Sequence, residues 1–129
     1  MIVDGDGAIL GRLASHVAQR LLTGETITIV NAEKTIITGR KHDIIEKYIA
    51  RRQRGSPHHG PFFPKQPHLI VKRTVRGMLP KTARGRRALK SLRVHIGAHG
   101  DGAEKMKAKE LVASHMTVGE LAKILGWRP

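Results

Sequence analysis

The sequence predicts an α/β fold. Three features carry the prediction: a short apolar strand at the start, a helix with an apolar period of about 3.6 residues behind it, and a β-branched strand after that. Ile2–Asp4 is the first strand. Across 8–22, Ile9, Leu10, Leu13, Ala14, Val17, Ala18, Leu21 and Leu22 fall on one helical face, and Gly24 supplies the C-terminal stop. Residues 26–31 alternate Thr and Ile before Val30 and Asn31, the pattern of a strand. Strand, helix and strand in that order favour a parallel pair joined by a right-handed crossover.

The remaining elements follow from local pattern. Residues 35–38 read as a further short strand closed by Gly39. Residues 40–54 read as a helix with Ile44, Ile45, Tyr48 and Ile49 on one side. At about 100° per residue, Arg40, Lys47, Arg51 and Arg54 gather within about 60° of each other, away from the centre of that apolar face. Residues 55–69 hold four of the six prolines, Pro57, Pro61, Pro64 and Pro67, and read as an irregular, functional loop. A short helix is expected over 69–78, stopped by Pro80, and another over 82–91. Leu92, Val94 and Ile96 alternate with Arg93 and His95, as in a strand covered on one face and basic on the other. A glycine-rich turn fills 97–102, and 103–115 is charged and patternless. Thr117 and Glu120 then form a capping box, Met116 is placed to staple onto Leu121, and the closing helix is expected to bury Val118, Leu121, Ile124 and Leu125 before Gly126 stops it.

A chain of 129 residues with no repeat fits a single domain over 1–129 that buries its own core. The absence of cysteine excludes disulfides and thiolate metal sites and fits a cytoplasmic setting. No leader pattern opens the chain, and no apolar run approaches the roughly 20 residues that span a bilayer, so neither export nor membrane insertion is expected.

Charge is the most informative property. Residues 40–93 hold 16 Lys and Arg against two acids, Asp43 and Glu46, and so carry +14, the formal charge of the whole chain. The rest is neutral on balance. A basic region inserted in an ordinary domain suits a polyanion partner, whose binding would relieve the self-repulsion. Arginine outnumbers lysine there, which fits bidentate grip on phosphate. Aromatic residues are too few for rows of base-stacking platforms, so contacts to phosphate are favoured. The candidate contacts are Arg40, Lys47, Arg51, Arg52 and Arg54; His58, His59 and Lys65 in the proline-rich loop; Lys72, Arg73 and Arg76; and Lys81, Arg84, Arg86, Arg87 and Lys90. The stripe on one helix, the proline-rich loop and the turn at Arg73 to Lys81 suggest three separate points of attachment.

Enzymatic readings are weaker. Gly5, Gly7 and Gly11 lie between a strand and a helix, with Glu33 beyond, in a distorted version of a dinucleotide-binding turn. Asp4 and Asp6 would repel the pyrophosphate, so a tight structural turn is the better reading. None of the eight histidines has the spacing of a zinc site, and no Ser or Thr has the setting of a nucleophile. No cofactor, metal or small-molecule substrate is expected. Lipid binding would need a broad apolar face beside the basic stripe, and the stripe has none.

Several strings resemble one family. Gly11-Arg12-Leu13-Ala14-Ser15, Val30-Asn31-Ala32-Glu33 with Thr38-Gly39, and Arg73-Thr74-Val75-Arg76-Gly77-Met78-Leu79-Pro80 with Lys81 resemble, in this order, the large-subunit ribosomal protein L-thirteen family. The last string is the most specific and looks like the archaeal and eukaryotic branch. The resemblance implies a three-layer α/β/α domain around a small, mainly parallel four-stranded sheet. It further implies a non-enzymatic role in the large subunit, with large-subunit ribosomal RNA and neighbouring ribosomal proteins as partners. On it, Arg73, Arg76 and Lys81 belong to an RNA-facing surface whose turn Gly77 and Pro80 shape. A nucleoid-type protein that binds nucleic acid outside the ribosome is the alternative.

Overall fold

Val3 and Ile29, both fully buried, sit side by side in the parallel ladder that anchors the fold. The computed structural model describes residues 1–53, 64–97, 103–106 and 114–129. Along the chain come β1 (Ile2–Asp4), α1 (Leu10–Leu22), β2 (Ile27–Val30), a 3₁₀ turn (Ala32–Lys34), β3 (Ile36–Thr38) and α2 (Lys41–Gln53). After them follow α3 (Pro67–Met78), α4 (Ala83–Lys90), β4 (Leu92–Val94), β5 (Glu104–Lys105), β6 (His115–Thr117) and α5 (Val118–Leu125). The main sheet has four strands in the order β4-β2-β1-β5, all parallel and flanked by helices. The α/β expectation is met. β3 leaves that sheet and pairs antiparallel with β6, Ile37 opposite Met116.

Periodicity explains most of this. α1 buries Leu10, Leu13, Ala14, Val17, Ala18 and Leu21, a stripe of the expected spacing, and ends where Gly24 adopts φ +96°. In α5 the Glu120 N–H donates to the Thr117 hydroxyl at 3.2 Å, and Met116 and Leu121 are both buried as a staple requires. Ile124, expected inside, is 50% exposed. It lies on the outer edge of a helix only eight residues long.

Several boundaries differ from expectation, three of them for instructive reasons. α3 begins at Pro67, two residues early, because proline at the first helical position loses no hydrogen bond and has φ already set. β4 ends at Val94, which leaves Ile96 outside the ladder and exposed. The charged 103–115 stretch supplies β5, an edge strand held by register with Val3 and Asp4 rather than by any apolar pattern of its own.

Candidate nucleic-acid interface

The basic segments that the sequence separates meet in one groove of about 820 Å³. α2 contributes Lys47, Tyr48 and Arg51; α3 contributes Arg73, Thr74, Arg76, Gly77 and Met78; the following turn and α4 add Leu79, Pro80, Lys81, Gly85, Arg86 and Leu89. Six of these are cations, and none of the described lining residues is an acid.

Local chemistry builds each wall. The Leu79 N–H closes α3 on the Arg76 carbonyl at 3.2 Å, and Pro80 cannot extend the helix. Thr82 opens α4 by accepting the Gly85 N–H at 3.3 Å. Gly85 is buried, and a Cβ there would overlap the Pro80 carbonyl oxygen outright. Only glycine lets α4 lie directly on the turn, so Gly85 sets the width of the groove at that side. Lys41 reaches Glu120 of α5 at 3.6 Å, an exposed pair that helps orient α2 only slightly.

Inside the groove, the Arg51 guanidinium lies over the Tyr48 ring, 5.3 Å from its centroid. Burial pushes the Tyr48 phenol above its ordinary value despite the pull of Arg51, so the ring stays neutral at physiological pH. Thr74 turns its hydroxyl back to the Ile70 carbonyl of its own helix at 3.0 Å. The floor is therefore largely apolar and uncharged, with Leu79 and Tyr48 buried and Met78 open to solvent.

Of the residues singled out in the sequence, Lys47, Arg51, Arg73, Arg76, Lys81 and Arg86 line the groove. Arg40, Lys65 and Lys90 are exposed elsewhere, and Lys72 is half-buried. Arg84 donates to the Leu22 carbonyl at 2.9 Å, at the C-terminal end of α1, and with Arg87 borders a smaller cleft of about 220 Å³. Arg52 belongs to α2, while Arg54, His58 and His59 lie outside the described residues. The charge reading overlooked Tyr48, Met78, Leu79 and Leu89. Their trace in the sequence is apolar residues set directly among the cations, as in Arg76-Gly77-Met78-Leu79-Pro80-Lys81.

The glycine turn after β1 is a structural clasp. Gly5 N–H donates to Val30 O at 2.8 Å, Asp6 N–H to Asp4 Oδ1 at 2.9 Å, Gly7 N–H to Lys34 O at 3.1 Å and Ala8 N–H to Gly5 O at 3.1 Å. Those amides are spent within the protein, and Glu33 accepts the Gly97 N–H at 3.0 Å. Burial raises the pKa of Asp4, but the Asn31 amide, the Asp6 N–H, Lys105 and Lys34 together outweigh it and hold the carboxyl below its ordinary value. A phosphate at this turn would meet that carboxylate.

A family model described as Ribosomal protein L13 matches residues 1–100, a span that includes every wall of the groove. The chain belongs to the ribosomal protein L13 family. Relatives named Large ribosomal subunit protein uL13 include one from Methanopyrus kandleri, 46% identical over 98% of this chain and 87% of its own length. Another, from Haloarcula marismortui, is 44% identical over 98% of this chain and 90% of its own. A third, from Methanosarcina barkeri, is 54% identical over 74% of this chain and 70% of its own. Within the L13 family frame, the string Arg73 to Pro80 is the C-terminal half of α3 and the turn beyond it, the part of the chain that forms the centre of the groove.

Proposed function

We propose that this protein is a structural constituent of the cytoplasmic large ribosomal subunit that binds large-subunit rRNA through its basic groove and supports subunit assembly and stability. One observation carries the reading: six cations, from three helices and the turn between two of them, converge on a groove whose described lining holds no acid. The names of its relatives support the ribosomal assignment. The chain acts as one domain over 1–129, with 40–93 as its RNA-binding region and neighbouring ribosomal proteins as further partners. Its role is scaffolding, not catalysis: the α/β core holds the cations in a fixed array, and RNA that fits the array is neutralised without reorganising the protein.

The test is binding to deproteinised large-subunit rRNA across a salt series. If about six to ten phosphates are neutralised, affinity falls roughly 10³- to 10⁵-fold between about 50 and 200 mM salt. Arg73→Glu with Arg76→Glu should weaken binding at every salt concentration and flatten the dependence. Salt-insensitive binding, or equal competition by duplex DNA, would overturn the proposal.

A further inference from the structure

The rim of the groove accounts for phosphates, but its floor does not. Met78 is 45% exposed and lines the groove together with Arg76, Lys81 and Arg86 and with the buried Leu79 and Tyr48. What sets Met78 apart from other exposed apolar residues is its place in a concave lining, where Tyr48, Leu79 and Leu89 are its apolar neighbours and most of the other side chains are cations. Continuous duplex RNA keeps its base faces stacked inside and offers the protein a convex backbone. It would satisfy the cations and leave the apolar floor wet. An unpaired nucleotide differs, since its phosphates reach the rim while its base fills the concavity.

We infer that the groove receives an unstacked nucleotide from a bulge, loop or junction of its RNA, the base lying against Met78 and Leu79 and the flanking phosphates against Arg73, Arg76, Lys81 and Arg86. This rests on the rRNA-binding reading above and specifies what enters the groove. The groove's volume of about 820 Å³ lies in the range of sites that enclose small organic groups. Charge complementarity on the rim selects an anion-flanked base over a neutral apolar ligand.

The chain has no cysteine, so a benzophenone maleimide on the variant Met78→Cys is attached at a single place. A second variant, Ala83→Cys, carries the probe at an exposed position on α4 outside the groove lining. Both are bound to deproteinised large-subunit rRNA and irradiated. Cross-links are mapped by reverse transcription, and base-pairing is read by chemical probing of the same RNA. The inference expects position 78 to cross-link at a nucleotide that is unpaired in the free RNA and protected in the complex. It also expects Met78→Gln to lower that protection about 5- to 10-fold. Cross-links from position 78 that fall within continuous duplex, with rRNA binding retained, overturn the nucleotide site and leave the rRNA reading standing. Failure of both probed variants and of the unmodified protein to bind rRNA overturns both.

Discussion

Gly85 and Gly11 are both helical glycines, yet replacing each by alanine should change stability in opposite directions. An alanine in a helix interior is favoured over glycine by about 1 kcal/mol, an upper bound for these first-turn positions, and that gain is the whole effect at Gly11, where a Cβ meets nothing within 4 Å among the described residues. At Gly85 the added Cβ overlaps the Pro80 carbonyl oxygen and stands 2.9 Å from the Pro80 carbonyl carbon and 3.2 Å from its ring Cγ. Those are backbone and ring atoms, so relief requires the turn to move by about 1 Å. Overpacking of this kind costs about 2 to 3 kcal/mol, against the helical gain of about 1. Gly85→Ala should therefore lose about 1 to 2 kcal/mol, or roughly 4 to 8 °C in Tm for a domain of this size. Gly11→Ala should gain up to about 4 °C. Melting followed by circular dichroism reads both values. Because the displaced turn carries Leu79, Pro80 and Lys81, Gly85→Ala should also weaken rRNA binding, whereas Gly11→Ala should not. A Tm for Gly85→Ala at or above that of the parent protein would refute the packing argument.

Four further outcomes are expected. Arg84→Ala should lower stability by about 1 kcal/mol in urea unfolding, since it removes the bond to the Leu22 carbonyl. Arg86→Ala, which removes a groove cation, should mainly weaken rRNA binding, and the opposite assignment in paired titrations would contradict the geometry. Asn31 has φ 56° and donates through its side-chain amide to Asp4 Oδ1 at 2.9 Å. Asn31→Ala should thus cost about 1 kcal/mol more than Asn31→Gly, which keeps the backbone unstrained; equal losses would show that the side-chain bond alone matters. His68 has a buried Nδ1 with no hydrogen-bond partner among the described residues, and burial, then the charges of His95 and Lys72, hold its imidazole below the ordinary value of 6.5. The unfolded chain therefore takes up the proton first, so stability present above pH 6.5 is lost as pH falls through the lower folded value. The urea midpoint should drop less for His68→Gln than for the parent between about pH 7.5 and pH 5.5, and identical drops would exclude this cause.

The elements legible in the sequence are those whose own residues determine them. The α1 stripe, the Thr117 cap and the β-branched β2 were readable because apolar period, capping hydroxyl and strand propensity act within a few residues. β5 was not, since Glu104 and Lys105 have no apolar signal and become a strand only because β1 offers an open edge. Asp4 and Asp6 mark the glycine turn as structural, but the partners that occupy its amides, Val30 and Lys34, come from elsewhere in the fold.

The same division runs through the interface. By itself the sequence determined that the charge lies in 40–93 and, through the string Arg73 to Pro80, the family to which the chain belongs; the charge is also what motivates the proposal of a polyanion partner. Charge and motif are additive over residues, so they survive without coordinates. Only the tertiary structure decided that two of the three points of attachment expected from the sequence, the α2 stripe and the turn at Arg73 to Lys81, supply walls of one groove, while most of the third, the proline-rich loop, lies outside the described residues; it decided too that Arg84 is engaged by α1, and that Met78 and Tyr48 furnish an apolar floor beneath the cations. Those outcomes depend on which helices pack together across long stretches of chain. At Gly85 they depend on a backbone approach that no local pattern encodes.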